Sequence, residues 1–452
     1  MNALVVERIL LPLHERLTRR KTFRFHRELA DSQWWSADRL REMQLAKLRE
    51  LVGVALTGTD GYAALAGVDR SWRPELLDDL QRLPLLDKAA MSAGLETLVN
   101  RGVPGGPIRY NTGGSTGRPL IFYLDKRRQA ADKAARMRSH AWWGIRPGDR
   151  EAYLWGSPVE LGGQDRLKRL RDRLTNELLL SAFDLSADSV GWFVAQLRRF
   201  KPRCLFGYPS SMALMCRLAR RAGHDLAGLP IRAVFSTAEV LEDHQRRIIS
   251  ESFGGVPVAD GYGSREGGFI AHECPEGRMH ITSEHVIVEF IRAGRPVAPG
   301  EDGEIVVTHL DNRAMPFIRY RTGDIGQASA ESCSCGRGLE VMEVVKGRTT
   351  DFIIAPDGRW VHGLALIYVI REIPGVRQYQ IVQDDVDRIR VKLVCGEGFP
   401  TDGPRRIRDG IAERLGDDVG VSVEHVDEIA LDASGKTRSV ISVVARDREA
   451  LL

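Results

Sequence analysis

Residues 110–119 read Tyr-Asn-Thr-Gly-Gly-Ser-Thr-Gly-Arg-Pro, and they gather three glycines and three hydroxyl side chains into one short stretch. Glycines at this density let backbone N–H groups approach a polyphosphate closely, and the hydroxyl groups add further donors. Arg118 adds compensating positive charge. The stretch is not a Walker loop, because the spacing and the closing Lys-Ser/Thr pair are absent. Taken alone, it is read equally well as a phosphate-binding loop or as a flexible turn.

The surrounding pattern predicts an α/β fold. Residues from about 31 to 98 have helical character, and beyond the loop helices alternate with short apolar runs, which is typical of an α/β sheet. The predicted helices are 126–140 and 186–200, and the predicted strands are 150–154, 204–206 and 231–235.

The pattern changes twice further along the chain. From about residue 280 to 345, short strands at 286–291, 303–308 and 317–320 alternate with Gly and Pro and predict a small β-barrel. After that, strands at 352–354, 376–383 and 389–394 and helices at 364–371 and 404–415 predict an α+β unit. We therefore expect a large N-terminal domain, residues 1–347, followed by a small C-terminal domain, residues 348–452.

The composition argues against a nucleic-acid-binding protein, a membrane-spanning protein and a disulfide-stabilised protein. The chain has 452 residues and a net charge of +4, which is too small a balance to indicate nucleic-acid binding. No apolar run is long enough for a transmembrane segment, and six cysteines do not form a disulfide framework, so we expect a cytoplasmic protein. A basic segment at 16–27 fits either a helix packed on the protein body or an amphipathic helix resting on a membrane.

Five further segments follow the glycine-rich loop in a fixed order. They are Phe235-Ser-Thr-Ala-Glu-Val, Asp260-Gly-Tyr-Gly-Ser-Arg-Glu, Tyr320-Arg-Thr-Gly-Asp, Lys346-Gly-Arg-Thr-Thr-Asp and Asp432-Ala-Ser-Gly-Lys-Thr-Arg. Each is a weak signal alone, but in this order they resemble the adenylate-forming superfamily of acyl-CoA synthetases, adenylation domains and luciferases. Ser32-Gln-Trp-Trp-Ser and a Cys-x-Cys-Gly motif are similar to the phenylacetate–CoA ligase-like branch, which includes capsule-biosynthesis and coenzyme F390 synthetase homologues.

The resemblance assigns roles to individual residues. It implies that the phosphates of ATP lie against Thr112, Gly113, Gly114, Ser115, Thr116, Gly117 and Arg118. It implies that adenine lies along Ala238, Glu239, Asp260 and Tyr262, that Asp324 holds the ribose, and that Arg348 reaches ribose or phosphate. By the same resemblance, Glu266 holds Mg²⁺ and Lys436 is the catalytic lysine of a mobile C-terminal domain, so Lys436, Glu266 and Thr112 are the catalytic set.

The sequence departs from the family pattern at three positions. Arg265 stands where Thr or Ser is usual, and it either pairs with phosphate or points elsewhere. Thr350 stands at the expected hinge pivot, where Asp or Lys is usual. Arg118 closes the phosphate loop where Lys is commoner, which preserves the charge but changes the hydrogen-bond geometry.

The implied activity is the conversion of a carboxylic acid to an acyl-AMP, followed by transfer to coenzyme A. Transfer to an amine, a hydroxyl or a carrier protein is an alternative, and a non-catalytic nucleotide-binding protein is another. The sequence leaves the acid open, although aromatic residues near 155–158, 206–208 and 262–267 would suit an aryl acid as well as core packing. The branch resemblance also allows a homodimer.

A possible metal site lies outside these motifs. Cys274 and His280 precede the predicted barrel strands, and Cys333 and Cys335 follow them, which makes four ligands suited to tetrahedral Zn²⁺. His272 is an alternative to His280. The competing interpretation is a set of ordinary cysteines in turns, since Pro275 and Gly336 adjoin two of them.

Overall fold

The computed structural model describes residues 2–111, 120–156, 172, 174–346, 352–357, 360–429 and 439–444, and its first elements are helices. Consecutive helical segments span Ala3–Val5, Val6–Leu10 and Leu11–Thr18 (α1), of which the second is a π-helical turn. Helices Thr22–Ser32 (α2) and Ala37–Gly58 (α3) follow. None of the helices within these described ranges has the length and hydropathy needed to cross a bilayer.

The expected helical character of residues 31–98 is only partly continuous. Ser36 caps α3 by accepting a hydrogen bond from the backbone N–H of Arg39, and the buried side chains of α3 follow helical spacing. Beyond Gly58 there are only short helices, which are Tyr62–Ala66, Leu77–Arg82 and Lys88–Ala93. Pro74 lies in the loop between the first two of these, where it restricts the backbone and cannot donate a hydrogen bond.

One twelve-stranded sheet dominates the described structure, and a separate hairpin, Ile108–Asn111 (β1) with Ile121–Leu124 (β2), flanks the glycine-rich loop. The parallel strands of the large sheet are Glu151–Leu154 (β3), Glu177–Leu180 (β4), Cys204–Gly207 (β5), Ala233–Thr237 (β6) and Val258–Ser264 (β7). They pair in the order β4-β3-β5-β6-β7, as expected for α/β units.

The antiparallel strands continue the same sheet. They are Gly268–Glu273 (β8), Met279–Ile281 (β9), Val286–Arg292 (β10), Arg295–Pro296 (β11), Gly303–His309 (β12), Tyr320–Ala328 (β13) and Val341–Lys346 (β14). Their order beyond β7 is β8-β9-β14-β13-β12-β10-β11. Several of them share a hydrophobic cluster built around Ile270, Phe290 and Ile305. The predicted small β-unit is thus present, but it is joined edge to edge with the parallel strands.

One predicted strand is wrong. Residues 317–319 are not a strand, and β13 begins only at Tyr320 and runs to Ala328. The sequence Arg321-Thr-Gly-Asp324 therefore lies inside a strand, although it has the composition of a turn. Cross-strand pairing overrides the local preference, because Tyr320 pairs with Val307 of β12 and Ile325 pairs with Lys346 of β14.

Helices cover the parallel strands. They are Lys126–Ala141 (α4), Val190–Phe200 (α5), Pro209–Arg221 (α6) and Asp243–Ser252 (α7). Phe25 and Leu29 of α2 pack on Ala130 and Ala134 of α4, and so the N-terminal helices are seated on the sheet layer. Helix α5 starts at Val190 rather than at residue 186, since Ser186 and Ser189 bond to each other and to nearby backbone.

The last part of the chain forms an α+β unit, as predicted. Its strands are Phe352–Ile354 (β15), Trp360–His362 (β16), Val376–Asp385 (β17), Arg388–Cys395 (β18), Gly420–His425 (β19) and Val440–Ser442 (β20), and its helices are Gly363–Arg371 (α8) and Gly403–Leu415 (α9). Four of the strands pair in the order β19-β18-β17-β20. Ile381, Ile407 and Leu366 belong to a hydrophobic cluster that is almost confined to this unit.

Candidate active site

A cavity of about 1280 Å³ opens beside the place where the parallel strands give way to the antiparallel ones. It lies beyond the carboxyl end of β6 and against β7 and β13, which is where ligands bind in open α/β sheets. Six residues predicted from the motifs line it together, namely Ala238, Glu239, Asp260, Tyr262, Glu266 and Asp324. Its volume exceeds that of a typical site for one drug-sized ligand.

Tyr262 and Asp324 are directly linked in this cavity. The Tyr262 hydroxyl lies 3.0 Å from Oδ2 of Asp324 and 3.4 Å from Oγ1 of Thr322. The two motifs that carry them are 62 residues apart in the chain, and the sheet brings β7 and β13 to the same cavity. The aromatic ring of Tyr262 can stack on a purine, and the neighbouring carboxylate of Asp324 can accept hydrogen bonds from the ribose hydroxyls.

Asp260 is held by its neighbours on every side. Its Oδ1 accepts hydrogen bonds from the Ser236 hydroxyl at 2.6 Å and from the Gly261 backbone N–H at 2.9 Å. Its own backbone N–H donates to Oε2 of Glu273 at 2.8 Å, and Glu273 is paired with Arg246 at 2.9 Å. Burial raises the pKa of Asp260 to about 6. The carboxylate is therefore a fixed acceptor whose charge changes just below neutral pH.

The residue that follows strand β6 has an unfavourable backbone conformation. Ala238 has a φ of 70°, which is uncommon for a side chain with a Cβ atom and is found most often at functional sites. The next residue, Glu239, accepts hydrogen bonds from the hydroxyl of Ser210 at 2.5 Å and from its backbone N–H at 3.3 Å. Because Ser210 lies in the first turn of α6, the Glu239 carboxylate also stabilises the start of that helix.

The turn that carries Glu266 is fixed by a buried arginine. Arg128 of α4 is fully buried, and its two terminal nitrogens each donate to the backbone carbonyl of Glu266 at 3.1 Å. The Glu266 carboxylate itself lies 3.5 Å from the Tyr320 hydroxyl. Gly268 follows with a φ of 77°, and a Cβ there would lie 2.4 Å from Oδ1 of Asp132. The position therefore requires glycine both for its backbone angle and for space.

Arg128 is paired with Asp132, which in turn contacts His309. The Arg128 Nε donates to Oδ2 of Asp132 at 2.7 Å, and Nε2 of His309 lies 3.4 Å from Oδ1 of the same carboxylate. Burial alone would raise the pKa of Asp132, but the Arg128 guanidinium and His309 outweigh it and hold that pKa well below its ordinary value. Asp132 is therefore ionised at neutral pH, as a partner for a buried cation must be. No motif in the sequence indicates this network.

Arg265 does have a neighbour in the glycine-rich region. Its Nη1 donates to the backbone carbonyl of Asn111 at 3.0 Å. Asn111 is the last residue of β1, and the predicted phosphate loop begins immediately after it. This contact ties the turn of Glu266 to the strand that leads into the predicted phosphate loop. Pairing of Arg265 with a phosphate stays a prediction.

Several predicted site residues lie outside the described residues. They are Thr112, Gly113, Gly114, Ser115, Thr116, Gly117 and Arg118 of the phosphate loop, Arg348 and Thr350 of the hinge segment, and Lys436 of the C-terminal loop. Their roles, and the domain boundary near residue 348, stay predictions.

The aromatic residues considered for an acid pocket pack mainly on one another. Trp155 stacks on Tyr208 with ring centroids 4.2 Å apart, and it lies 6.0 Å from Phe206. His140 stacks on Phe235 at 3.8 Å within the same layer. Residues 157 and 158 are outside the described part of the chain. The observed contacts are those of a packed core, and they do not distinguish an aryl acid from an aliphatic one.

The four predicted metal ligands come together. The ligand atoms of Cys274, His280, Cys333 and Cys335 all lie within 4.8 Å of one another. The sulfur atoms of Cys274 and Cys333 are 3.7 Å apart, which is close to the edge of about 3.8 Å that a tetrahedron with Zn–S bonds of about 2.3 Å would have. That separation is far too long for a disulfide. The alternative ligand, His272, instead stacks on Phe269 with ring centroids 5.3 Å apart.

His280 is oriented as a metal ligand would be. Its Nδ1 lies 3.3 Å from the carbonyl oxygen of Leu339, while Nε2 lies 3.2 Å from Sγ of Cys335. A proton on Nδ1 leaves the lone pair of Nε2 for a metal. Burial lowers the pKa of His280 to about 4, so the imidazole is neutral at physiological pH. The donor set therefore fits a closed structural zinc site.

The turn between two of these ligands forms part of the cavity wall. Gly277, Arg278 and Met279, which follow Cys274 and precede His280, all line the cavity. Arg278 is held by Ser329 at 2.7 Å and by Glu343 at 3.1 Å. The cysteine cluster and the nucleotide-sized cavity are therefore adjacent structures that share one turn.

The chain is similar to known proteins over most of its length. Residues 353–443 match the family model described as the CapK C-terminal domain. The chain is 24% identical over 411 residues to protein CapK of Staphylococcus aureus, and the match covers 89% of both chains. It is 27% identical over 420 residues to a phenylacetate–coenzyme A ligase of Thermus thermophilus, which covers 86% of this chain and 92% of the relative.

Solved structures show the same fold. A 2-hydroxyisobutyryl-CoA ligase in the postadenylation state, in complex with an acyl-AMP, superposes with a TM-score of 0.59 at 20% identity, over 93% of this chain and 95% of that one. The same enzyme with an acyl-AMP and CoA in its thioesterification state gives a TM-score of 0.60 at 19% identity. The mixed α/β architecture with a C-terminal α+β unit is thus the fold of an adenylate-forming ligase.

Proposed function

Because this chain is a relative of CapK and the phenylacetate–coenzyme A ligases and has the fold of an adenylate-forming ligase, we propose that it activates a carboxylic acid with ATP and then acylates coenzyme A. The observation that carries the proposal is the convergence of Asp260, Tyr262, Glu266 and Asp324 on one cavity. These residues come from motifs that are distant in the chain. Their side chains, three carboxylates and one aromatic ring, are of the types that can bind adenine, ribose and a divalent cation.

The first half-reaction makes the acyl-AMP. A carboxylate oxygen of the acid attacks the α-phosphorus of ATP, the bond to the bridging oxygen breaks, and pyrophosphate leaves with that electron pair. Tyr262 and Asp260 would orient the adenine, and Asp324 would fix the ribose. Lys436, assigned by the family resemblance, would stabilise negative charge on the phosphate in the transition state. Mg²⁺ bound at Glu266 would supply further neutralisation of phosphate charge.

The second half-reaction releases AMP. The thiol sulfur of coenzyme A attacks the acyl carbon, the thiol loses its proton, and AMP leaves. We assign residues 348–452 to a C-terminal domain that moves between the two half-reactions, since the role given to Lys436 belongs to the first of them. ATP and coenzyme A are cytoplasmic metabolites, and the six cysteines, all within the described residues, form no disulfide, so we place the enzyme in the cytoplasm. The homodimer stays a prediction.

The test is a pyrophosphate-release screen over many carboxylic acids, run with and without coenzyme A. We expect at least one acid, with phenylacetate among the first tried, to give release and a CoA-dependent thioester. Release without any thioester would favour transfer to an amine, a hydroxyl or a carrier protein. ATP binding without turnover over the whole panel would favour a non-catalytic nucleotide-binding protein and would contradict the proposal.

A lysine variant tests the assigned chemistry. Lys436→Ala should lower pyrophosphate release by about 10²–10³-fold, because a donor positioned at the reacting phosphate is lost. Lys392→Ala is the matched control, since Lys392 lies on β18 of the same C-terminal unit and outside all the motifs. Equal activity of the two variants would refute the role of Lys436.

We also propose that Cys274, His280, Cys333 and Cys335 bind one structural Zn²⁺. The metal would hold the turn at Gly277–Met279 in the cavity wall, with no part in the reaction itself. Metal analysis of protein purified without chelator should find about one zinc per chain, and Cys335→Ser should lose it. Cys395→Ser is the control, because Cys395 lies in β18 away from this cluster. Wild-type protein without zinc would refute the site.

A further inference from the structure

The N-terminal helical stretch exposes a series of aliphatic side chains. Five of the eleven large hydrophobic side chains that are exposed among the described residues lie in its first 17 positions. They are Leu4, Val5, Ile9, Leu13 and Leu17, and their exposed fractions range from 39% to 76%. From Val5 onward the spacing is four residues, which places the side chains along one side of a helix. We call these five residues the aliphatic stripe.

The stripe is not the face by which the helix packs on the protein. Val6 and Leu11 of the same stretch are buried, whereas the five residues of the stripe are exposed. The backbone of the first turns rests on Gly148, where a Cβ would lie only 2.6 Å from the carbonyl oxygen of Ala3 and 2.8 Å from the amide nitrogen of Glu7. The helix is therefore seated on the protein body, as one sequence interpretation expected, and the stripe faces away from it.

The same region carries a concentrated positive charge. Residues 2–28 contain seven Lys and Arg side chains and three Glu side chains, a net charge of +4 that equals the net charge of the whole 452-residue chain. Arg16, Arg19, Lys21, Arg24 and Arg27 are all exposed. Exposed aliphatic side chains on a helix, with exposed basic residues in and just after it in the chain, are the composition of a segment that lies in the plane of a membrane interface.

We propose that this N-terminal face binds the surface of an anionic lipid bilayer, with the stripe inserted among the acyl chains and the basic side chains on the headgroups. The charge favours a bilayer over a second copy of this chain. A two-fold contact through the face would bring two patches of +4 together, whereas anionic lipids neutralise them. Lys and Arg near an anionic surface each add attraction, which salt weakens. This inference is independent of the proposed catalysis.

Vesicle co-sedimentation of the full chain tests the proposal. We expect binding to vesicles of equal parts phosphatidylglycerol and phosphatidylcholine, little binding to phosphatidylcholine alone, and weaker binding as salt is raised. The variant Ile9→Gln/Leu13→Gln/Leu17→Gln should bind at least about tenfold more weakly, because three apolar side chains no longer leave water. These side chains are exposed, so the variant keeps the packing of the helix.

A matched control separates the stripe from general hydrophobicity. Leu65→Gln/Leu76→Gln/Leu174→Gln removes three other exposed leucines and should bind anionic vesicles like the wild type. Absence of binding to anionic vesicles, or equal binding by the stripe variant, would overturn the proposal. Light scattering after gel filtration tests whether the stripe instead binds a second copy of this chain. If the wild type is a dimer that does not bind vesicles, and the stripe variant is a monomer, the face belongs to a second copy and the proposal is overturned.

Discussion

Replacing Gly268 by alanine tests how the turn of Glu266 is held in place. Gly268 has a φ of 77°, and a Cβ there would lie 2.4 Å from Oδ1 of Asp132 and 2.7 Å from Nη2 of Arg128. Both distances are shorter than any real Cβ contact. Alanine must therefore adopt an unfavourable backbone conformation and also displace the buried ion pair that holds the Glu266 carbonyl.

The expected cost follows from these two effects. A left-handed conformation costs an alanine about 1–2 kcal/mol. Displacing a charged, buried hydrogen-bonding group costs about 1.5–3 kcal/mol more. We therefore expect Gly268→Ala to lose about 2.5–5 kcal/mol of stability. The control is Gly294→Ala, because Gly294 has a φ of 79° and a Cβ there would meet no atom within 4 Å, so that only the backbone cost of about 1–2 kcal/mol applies.

Thermal unfolding followed by circular dichroism compares the two variants at one scan rate. Gly268→Ala should lower the midpoint at least about twice as much as Gly294→Ala. It should also reduce pyrophosphate release in the fraction that remains folded, since Glu266 moves with its carbonyl. Combined with Arg128→Lys, which shortens the displaced group, it should cost less than the sum of the two single variants. Equal midpoints for the two glycine variants, or strict additivity with Arg128→Lys, would refute the reasoning.

Two further outcomes follow from the cavity. Nucleotide affinity measured by calorimetry should fall about tenfold per pH unit below about pH 6, because the Asp260 carboxyl, whose pKa is raised to about 6, takes up a proton there and loses its negative charge. Asp260→Asn should flatten that profile. A flat profile for the wild type would contradict the prediction. Arg265→Thr removes the hydrogen bond to the Asn111 carbonyl and should raise KM for ATP by about 5–30-fold, with little change in the unfolding midpoint. An unchanged KM would show that this hydrogen bond does not position the predicted phosphate loop.

The sequence predicted the parts of the site whose identity is carried by short motifs. The family resemblance of their motifs assigns Asp260, Tyr262 and Asp324 to the site, and the order of those motifs predicts one fold that gathers them. The ligands of the cysteine cluster were likewise found from spacing. The choice of His280 over His272 depends on the pairing of β9 with β14, which sets His280 opposite Val341. Spacing alone does not contain that information.

Other features could not be predicted, because their partners are distant and chemically unspecific. Arg128 binds a backbone carbonyl 138 positions later in the chain, and every residue offers such a carbonyl. In sequence it is one more arginine in a polar helix, which is usually a solvated position. The strand at Tyr320–Ala328 was similarly hidden, because glycine and aspartate favour turns wherever pairing on both sides does not override them.

The edge-to-edge joining of the two halves of the large sheet has a consequence for biosynthesis. The hairpins through β9 can form early on the ribosome, because β9 pairs with β8 on one side. Its neighbour on the other side is β14, which is made much later. Cys274 and Cys333, whose sulfurs meet beside this pairing, are 59 residues apart in the chain. Until translation has passed residue 346, the nascent chain displays β9 as an unprotected edge, which is a template for aggregation. Yield in expression should therefore depend on translation speed and on chaperones that shield that edge.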